Sequence, residues 1–465
     1  MIHLFEINGD RLAFDPQSGA LHLVDETAYR VLEAYNQQDG IRPDPTTLDG
    51  LTAAYGDEVH ACADEVDALI QNRLLFIPPE PMPPLSALYP DGPRIKSMCL
   101  HVAHDCNLRC RYCFAGTGDF GTGSRVRMDL ETGKKAVEFL IAASGDRTNL
   151  DIDFFGGEPL LNWPVVVALT EYCELRAGET GKHIRLTITT NATLLDDDKT
   201  RFINAHMKNC VLSMDGCPDT HDRMRPDAGG KGSYETVSER IRSFIRERGD
   251  REHYVRGTFT RHNLDFGRDV MHIASLGAKY LSMEPVVAPD GCGYELRVED
   301  LPQIRAEYDK LAADYLEARA SGRWFSLFHF MIDLDGGPCS YKRLKGCGAG
   351  CEYVAVTPEG DIYPCHQFVG ETDFIMGNVN EMPVRLDEAV QARFSRLLVP
   401  QKPACATCWA RNYCSGGCAA NAWHASGNIE GTYEVGCELQ KKRVECALWI
   451  KARETREAVE TAATE

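Results

Sequence analysis

The fold is decided by the segment His104-Asp105-Cys106-Asn107-Leu108-Arg109-Cys110-Arg111-Tyr112-Cys113-Phe114. Its cysteines follow a C-x3-C-x2-C spacing, which supplies three thiolates and no fourth. Iron–sulfur clusters that serve only structure or electron transfer usually take four cysteines, so three ligands leave one iron open to another molecule. The alternative is a zinc knuckle or a pair of buried thiols, but no fourth Cys or His lies at a zinc ribbon's usual spacing, and His104 is the nearest candidate.

A second motif, Gly156-Gly157-Glu158-Pro159, ends the next apolar strand, about 40 residues after the cysteines. Two glycines at a strand end let the backbone approach a ligand closely. With the aromatic residues beside the last cysteine, the two motifs resemble the signature of the radical SAM enzymes. The resemblance implies a 4Fe–4S cluster on Cys106, Cys110 and Cys113, whose open iron binds S-adenosylmethionine (SAM). It also implies that SAM is contacted by Tyr112, Gly156, Gly157 and Glu158.

Composition and charge limit the function classes. The chain has 465 residues, of which 43% are hydrophobic, so about three domains with large cores are expected. No stretch approaches the roughly 20 apolar residues of a membrane span, and the N-terminus lacks the order of a secretion signal, so we expect a cytoplasmic protein without a membrane partner. The 19 cysteines, clustered in short spacings, favour metal sites over disulfides. The formal net charge of −19 argues against nucleic acid as a partner.

Residues 1–80 have an organisation of their own. The patterns predict strands at 3–5, 12–15 and 21–24, and helices at 26–37, 46–55 and 58–72. Three strands and three helices indicate a winged-helix-like module, which resembles the leader-recognition domain of enzymes that modify ribosomally made peptides. A generic N-terminal cap domain is the alternative. Residues 1–94 carry 5 Arg, no Lys and 16 Asp plus Glu, a formal charge of −11, which is typical of a solvated surface or of a surface for a basic peptide.

The Pro-rich residues 81–94 predict a linker, and residues 95–286 then alternate apolar strands with amphipathic helices. The predicted strands lie near 95–103, 150–155, 185–190, 210–215, 254–260 and 280–286. The predicted helices lie near 130–144, 164–177, 196–207, 233–248 and 265–276. The expected fold class is therefore α/β, a partial (β/α)6 TIM barrel.

Polar residues follow several of these strands at their C-terminal ends, where barrel active sites form. Asn191, Ser213 and Arg225 each have an ordinary alternative role in a turn or a helix cap. Taken together, they resemble the radical SAM positions that hold the ribose and the methionine carboxylate of SAM.

The C-terminal third carries Cys405-x2-Cys408-x5-Cys414-x3-Cys418 and then Cys437. This spacing resembles the SPASM domain, which carries two auxiliary 4Fe–4S clusters. The resemblance implies an outer cluster on Cys405, Cys408, Cys414 and Cys437, and an inner cluster on Cys339, Cys347, Cys365 and Cys418. Zinc is the alternative for the first of these sets, but it would leave the distant cysteines unexplained. The implied domain covers residues 339–446, after a bridging region at 287–338 and before a C-terminal helix or tail at 447–465.

Cys351 departs from this pattern because Cys347-Gly348-Ala349-Gly350-Cys351 offers two thiols where the family uses one. The signature expects at least nine residues between the cysteine and Gly360, and Cys347 leaves twelve whereas Cys351 leaves eight. The spacing therefore favours Cys347. In some relatives the inner cluster leaves an iron free for a substrate thiol, so Cys339 also stays open.

Over nearly its whole length the chain resembles the maturases of six-cysteine peptides (SCIFF), which form thioether crosslinks in ranthipeptides. The resemblance implies a 5′-deoxyadenosyl radical, attack of a cysteine sulfur on a peptide carbon, three clusters, and a flavodoxin or ferredoxin as electron donor. The expected partner is a cysteine-rich precursor peptide whose leader binds the N-terminal domain. The rivals are a sulfatase-maturing enzyme, which forms formylglycine, another SPASM peptide-modifying enzyme, and a non-catalytic iron–sulfur electron carrier or peptide-binding scaffold.

Overall fold

The computed structural model describes residues 1–79, 84–334 and 344–464, and Cys339 lies outside the described residues. The strands are β1 His3–Ile7, β2 Asp10–Phe14, β3 Leu21–Val24, β4 Ser97–Ala103, β5 Asn149–Gly156, β6 His183–Thr190, β7 Asn209–Ser213, β8 Tyr254–Phe259, β9 Tyr280–Pro285, β10 Ser326–Leu327, β11 Tyr353–Val356, β12 Asp361–Tyr363 and β13 Gly377–Asn378.

The helices lie between and after these strands. They are α1 Glu26–Gln37, α2 Pro45–Tyr55, α3 Glu58–Gln71, α4 Leu85–Leu88, α5 Leu130–Ala143, α6 Trp163–Thr180, α7 Asp197–His206, α8 Pro218–Met224, α9 Tyr234–Arg248, α10 Phe266–Ser275, α11 Leu301–Ala320, α12 Glu388–Ser395, α13 Pro403–Ala406, α14 Arg411–Cys414, α15 Ala419–Ser426 and α16 Glu434–Thr464.

The central sheet runs in the order β10-β9-β8-β7-β6-β5-β4-β11-β12-β13. Strands β4 to β9 are parallel and lie in chain order, which confirms the six predicted strands and the α/β class. At one edge β11 pairs in parallel with β4, so the C-terminal third extends the same sheet. This pairing was not predicted, because a four-residue strand gives no local sign of which distant edge it joins.

Alternate residues along the barrel strands face opposite sides of the sheet. In β5, Leu150, Ile152 and Phe154 are buried in the apolar core, whereas Asp153 and Phe155 face the barrel interior. The interior face therefore carries polar side chains that no external helix covers, and it is available for a site.

The N-terminal sheet has the order β1-β2-β3 and is antiparallel. Asn8 and Gly9 join β1 to β2 with φ of 48° and 85°, as a two-residue type I′ turn requires. The predicted strands and helices of this region are all present, each within two residues of its predicted bounds.

The N-terminal sheet is covered on both faces. One face, which includes Ala13, packs on α1 to α3, and the other, which includes Phe14, joins the main core. The His3 ring stacks on Trp409 at 3.6 Å between ring centroids, and Trp449 Nε1 donates to Asp10 at 2.7 Å. The module is thereby attached to the C-terminal third and to α16.

Helix α16 begins before Cys437 and runs to Thr464, so it crosses the boundary placed at residue 446. Among the described residues, no helix is both long enough and apolar enough to span a membrane.

Candidate functional site

The loop after β4 carries the first three cysteines. Its backbone is fixed by hydrogen bonds from Arg109 N to Pro226 O at 2.7 Å and from Arg111 N to Met224 O at 2.9 Å. Burial, with Glu158 and then the thiols of Cys110 and Cys113, raises the pKa of Cys106 to about 12. Burial, reinforced by Asp215 and Cys113, raises the pKa of Cys110 to about 11. The three thiols are thus close enough to act electrostatically on one another, and a bound cation would stabilise their thiolates.

The two glycines after β5 pack directly against this loop. A Cβ on Gly156 would lie 2.2 Å from Ala103 O, and one on Gly157 would lie 2.2 Å from Asp105 O. Gly157 N donates to Ala103 O and Glu158 N donates to Asp105 O, each at 2.8 Å. Both positions therefore require glycine because the strand end touches the chain that leads into Cys106. The close approach seen here is between two protein segments. The sequence predicted an approach of the backbone to a ligand, which stays a prediction.

Glu158 is fully buried at the same place. Its carboxylate accepts from Thr190 Oγ1 at 2.7 Å, from Asn191 N at 2.7 Å and from Leu160 N at 3.0 Å. Burial raises the pKa of Glu158 to about 6, and these hydrogen bonds oppose the shift. A buried carboxylate of this kind is stabilised further by a cation, such as the ammonium group of an amino acid.

Arg225 belongs to a buried network with Tyr112 and Asp215. The Tyr112 hydroxyl donates to Asp215 at 2.6 Å, and Arg225 Nη1 donates to Tyr112 at 2.9 Å and to Asp215 at 3.3 Å. Arg225 Nε is buried and has no hydrogen-bond partner among the described residues. The guanidinium therefore keeps a donor for a carboxylate brought by a ligand, which fits the carboxylate of SAM.

Asn191 follows β6 and Ser213 ends β7, and both residues line the same cavity. Asn191 Nδ2 donates to Asn107 at 2.9 Å and lies 3.7 Å from Cys106 Sγ, so this side chain supports the cysteine loop. Ser213 is the last residue of β7 and lines the cavity described next.

One cavity of about 450 Å³ joins the cysteine loop to the C-terminal third. Its barrel side includes Cys106, Cys110 and Cys113 together with Gly156 and Gly157, and its opposite side includes Cys414, Cys418 and Cys437. The volume lies in the range of small-molecule and cofactor sites. Members of all three predicted cysteine sets therefore line a single, partly open cavity.

The C-terminal cysteines separate into two groups. Burial, followed by charge from the other thiols of the group, raises the pKa of Cys405, Cys414 and Cys437, and Cys408 acts on each of them. Cys365 and Cys418 respond in the same way to Cys347 and form the second group. The two ligand sets that the resemblance implied stay predictions, and Cys339 of the inner set lies outside the described residues.

Cys351 is a neighbour of Cys347 but does not act on Cys365 or Cys418. Its Sγ lies 3.9 Å from Gln391 O, and the Tyr89 hydroxyl is its hydrogen-bonding neighbour. Burial raises its pKa to about 11. Within the described parts of the chain, no three His, Cys, Asp or Glu side chains converge closely enough to hold one metal ion. In a four-iron cluster each thiolate binds a separate iron, so the thiolates lie farther apart than the ligands of a single ion. The thiolate ligands of a single ion each lie about 2.3 Å from the metal.

Four cavity residues were not identified from the sequence: Arg256, Glu284, His366 and Arg443. Arg256 and Glu284 occupy inward positions of β8 and β9, so the alternation of those strands could have indicated them. His366 follows Cys365 directly, and burial lowers its pKa to about 4. Seven cysteines belong to none of the predicted ligand sets and are predicted from the sequence to be buried small hydrophobic residues. Cys99, Cys173, Cys210 and Cys446 are buried, whereas Cys62 and Cys217 are partly exposed and Cys292 is exposed.

Comparison with known proteins agrees with this geometry. Residues 100–261 match the Radical SAM superfamily, and residues 347–409 match SPASM, an iron–sulfur cluster-binding domain. An uncharacterized protein of Archaeoglobus fulgidus is 26% identical over 77% of this chain and 82% of its own length. The serine-type anaerobic sulfatase-maturating enzyme of Klebsiella aerogenes is 24% identical over 70% of this chain and 79% of its own length.

Two solved structures share the fold. The protein anSMEcpe with bound AdoMet superposes with a TM-score of 0.62 at 19% identity, over 77% of this chain and 99% of its own. Streptococcus suis SuiB, bound to the precursor peptide SuiA, has a TM-score of 0.52 at 14% identity, over 94% of this chain and 98% of its own. The chain therefore combines a radical SAM core with a C-terminal SPASM domain, and SAM and iron–sulfur clusters are the cofactors of these domains.

Proposed function

We propose that this chain is a radical SAM maturase that forms thioether crosslinks between cysteine sulfur and carbon atoms in a ribosomally made, cysteine-rich peptide. The observation that carries the proposal is the single cavity of about 450 Å³ with Cys106, Cys110 and Cys113 on one side and SPASM thiols on the other. A substrate segment held there meets both the site of hydrogen abstraction and the sites of electron acceptance.

In this proposal, Cys106, Cys110 and Cys113 hold the SAM-binding cluster. Glu158, Arg225 and the backbone at Gly156 and Gly157 hold the amino-acid end of SAM, and Ser213 lines the same site. When bound there, the cluster and SAM supply a 5′-deoxyadenosyl radical, which removes a hydrogen atom from an unactivated C–H bond. The Tyr112–Asp215–Arg225 network fixes the guanidinium in place, so that little conformational entropy is lost on binding.

The cavity walls restrict where the peptide can react. Phe155 and Val286 are apolar residues of the cavity wall and exclude water from one side of the reacting segment. Holding one C–H bond near the radical carbon turns a bimolecular encounter into a step with fixed geometry. The chain's main contribution is therefore positioning and the exclusion of water.

Thioether formation joins a thiol S–H and a C–H into a C–S bond with loss of two hydrogens. One leaves as the abstracted hydrogen atom, and the other leaves as a proton and an electron. Cys414, Cys418 and Cys437 line the cavity wall, so these residues would hold auxiliary clusters there, and such clusters would supply an electron acceptor. We propose the implied ligand sets for these clusters, with a flavodoxin or ferredoxin as the external donor to the SAM-binding cluster.

The N-terminal module is proposed to bind the leader of the peptide. Its sheet has β1 and β3 as outer strands, and an outer strand can pair with an extended peptide. Docking of this sheet onto Trp409 and Trp449 ties the module to the SPASM side of the protein.

A second candidate is oxidation of a single Cys or Ser to formylglycine. The observation that favours it is the similarity to the sulfatase-maturating enzyme over 70% of this chain. Both candidates use the same cavity, and they differ in the product.

The test is anaerobic reaction of the reconstituted protein with SAM, a reductant and a cysteine-rich precursor peptide encoded nearby, read by tandem mass spectrometry. Thioether formation removes two hydrogens per event, leaves cysteines that resist alkylation, and produces a fragmentation gap between the joined residues. Loss of mass with all remaining cysteines alkylated would favour formylglycine. Absence of 5′-deoxyadenosine under reducing conditions would refute both candidates and leave a carrier or scaffold.

A further inference from the structure

Arg256 occupies an unusual place in the barrel. In β8, Val255 and Phe259 are buried in the core, and Arg256 lies on the opposite face, between Ser213 of β7 and Ser282 of β9 in the register. Its side chain is exposed although it lies in a central strand, and it lines the cavity. The guanidinium is therefore exposed to the space where a substrate would bind.

No described residue forms a hydrogen bond or ion pair with the Arg256 side chain. The nearby carboxylates have other partners. Glu284 accepts from Ser282 Oγ at 2.7 Å, contacts His329 Nε2 at 3.1 Å and lies 3.6 Å from Arg443 Nη1. Asp153 accepts from Thr189 Oγ1 at 3.2 Å. A guanidinium has five donors in a planar fork that matches a carboxylate, so Arg256 keeps its whole binding capacity for a ligand.

Arg225 and Arg256 are two of the three arginines that line the cavity, and they have different neighbours. The charge of Arg225 opposes the rise that burial causes in the pKa of Cys110 and of Glu158, and its guanidinium donates a hydrogen bond to Tyr112. Arg225 therefore lies on the side of the cavity where SAM is proposed to bind. Arg256 acts on Glu284 of β9, on His366 beside Cys365 and on Asp153 of β5, and not on Cys110. A SAM molecule whose carboxylate meets Arg225 leaves Arg256 for a different carboxylate.

The charge around Arg256 also favours an anion. Arg443 and Arg256 are both cationic, and the carboxylates near them are Glu284, which lies 3.6 Å from Arg443, and Asp153, whose pKa burial raises to about 7. None of the described carboxylates forms an ion pair with Arg256, so its charge is available to an anionic group of the peptide.

We infer that Arg256 forms a carboxylate-binding subsite that takes an acidic residue of the peptide next to the reacting cysteine. This inference rests on the proposed function for the identity of the substrate as a cysteine-containing peptide. The subsite would set which residue enters the cavity, because an Asp or Glu neighbour gains a bidentate ion pair that an amide cannot form.

Binding of two synthetic probes by calorimetry tests the subsite on the reconstituted, SAM-loaded protein. The probes are N-acetyl-Asp-Cys-amide and N-acetyl-Asn-Cys-amide, which differ in one charge. We expect the wild type to prefer the Asp probe by about tenfold, the value of one well-formed charged pair. R256Q should remove the preference, and R256K should restore part of it.

R185Q is the matched control. Arg185 also lies in a barrel strand, but near the N-terminal end of β6, and it pairs with Asp151 at 2.7 Å. This variant should keep the Asp preference. Equal affinity of the wild type for the two probes, or no binding of either, would overturn the inference.

SAM affinity is measured in parallel for the same proteins. A loss of SAM affinity in R256Q as large as the loss of Asp-probe affinity would assign the guanidinium to the carboxylate of SAM and overturn the inference. The probes need no turnover, so the result is independent of the mass-spectrometric test. If the protein prefers the Asp probe but forms no crosslinked peptide, the proposed function is refuted and the inference about Arg256 still holds.

Discussion

Replacing Gly157 by Ala tests whether the glycine pair holds the cysteine loop in place. The new Cβ would lie 2.2 Å from Asp105 O and 2.6 Å from Asp105 C, against an ordinary contact of 3.4 Å or more. Both atoms belong to the backbone, so no side chain can rotate away. Either the end of β5 or the loop that carries Cys106 must move by about 1 Å to restore ordinary contact.

The loss of stability expected in G157A has two contributions. Overpacking of this kind typically destabilises by 1–3 kcal/mol. The shift also weakens the hydrogen bonds from Gly157 N to Ala103 O and from Glu158 N to Asp105 O, each worth about 1 kcal/mol. We expect the free energy of unfolding to fall by about 3 kcal/mol, measured as the shift in denaturant midpoint of the metal-free protein.

The same displacement moves Cys106, so iron content provides a second measurement. G157A should retain roughly eight irons, the content of two auxiliary cubanes, and lose those of the SAM-binding cluster. Gly178 is the control, since it is exposed near the end of α6 and has no atom within 4 Å of a new Cβ. G178A should be neutral or stabilise by up to about 1 kcal/mol. Wild-type stability and iron content in G157A would refute the reasoning.

Three further predictions follow from the site. Replacing Cys106, Cys110 and Cys113 together by Ala should abolish formation of 5′-deoxyadenosine and leave roughly eight irons, whereas retained SAM cleavage would contradict the assignment. C347S should lose roughly four irons and C351S should lose none. The reason is that, of these two cysteines, only Cys347 lies close enough to Cys365 and Cys418 to raise their pKa. Loss of iron in C351S alone would show that Cys351 is the ligand instead. Burial raises the pKa of Asp153 to about 7 in the folded protein, from an ordinary 3.8. The protonated carboxyl therefore stabilises the folded protein fully below pH 3.8, and this stabilisation is lost as the pH rises through 7. Unfolding midpoints measured from pH 5 to 8 should therefore fall more in the wild type than in D153N, and parallel curves would refute this.

The strands and helices were predictable because each is encoded by a pattern of apolar residues within ten to twenty positions. The barrel strands and the Asn8-Gly9 hairpin show this, since periodicity and one turn sequence were sufficient. The pairing of β11 with β4 was not predictable, since it joins Tyr353 to Ser97 across most of the chain. A short apolar strand fits any open parallel edge, and only the folded barrel decides which edge is open.

The functional site was also predictable only in part from the sequence. The sequence by itself determined the cysteine spacings and the Gly-Gly-Glu-Pro motif, because ligands of one cluster and residues of one strand end lie close along the chain. Only the tertiary structure decided that Arg256, Glu284 and Arg443, from β8, β9 and α16, face the same cavity. It also decided that Arg225 is bound by Tyr112 and Asp215 while Arg256 is not bound by any described residue. The physical reason is that hydrogen bonds and charge pairs depend on distances of 3 to 4 Å, which closure of the barrel sets between residues far apart in sequence.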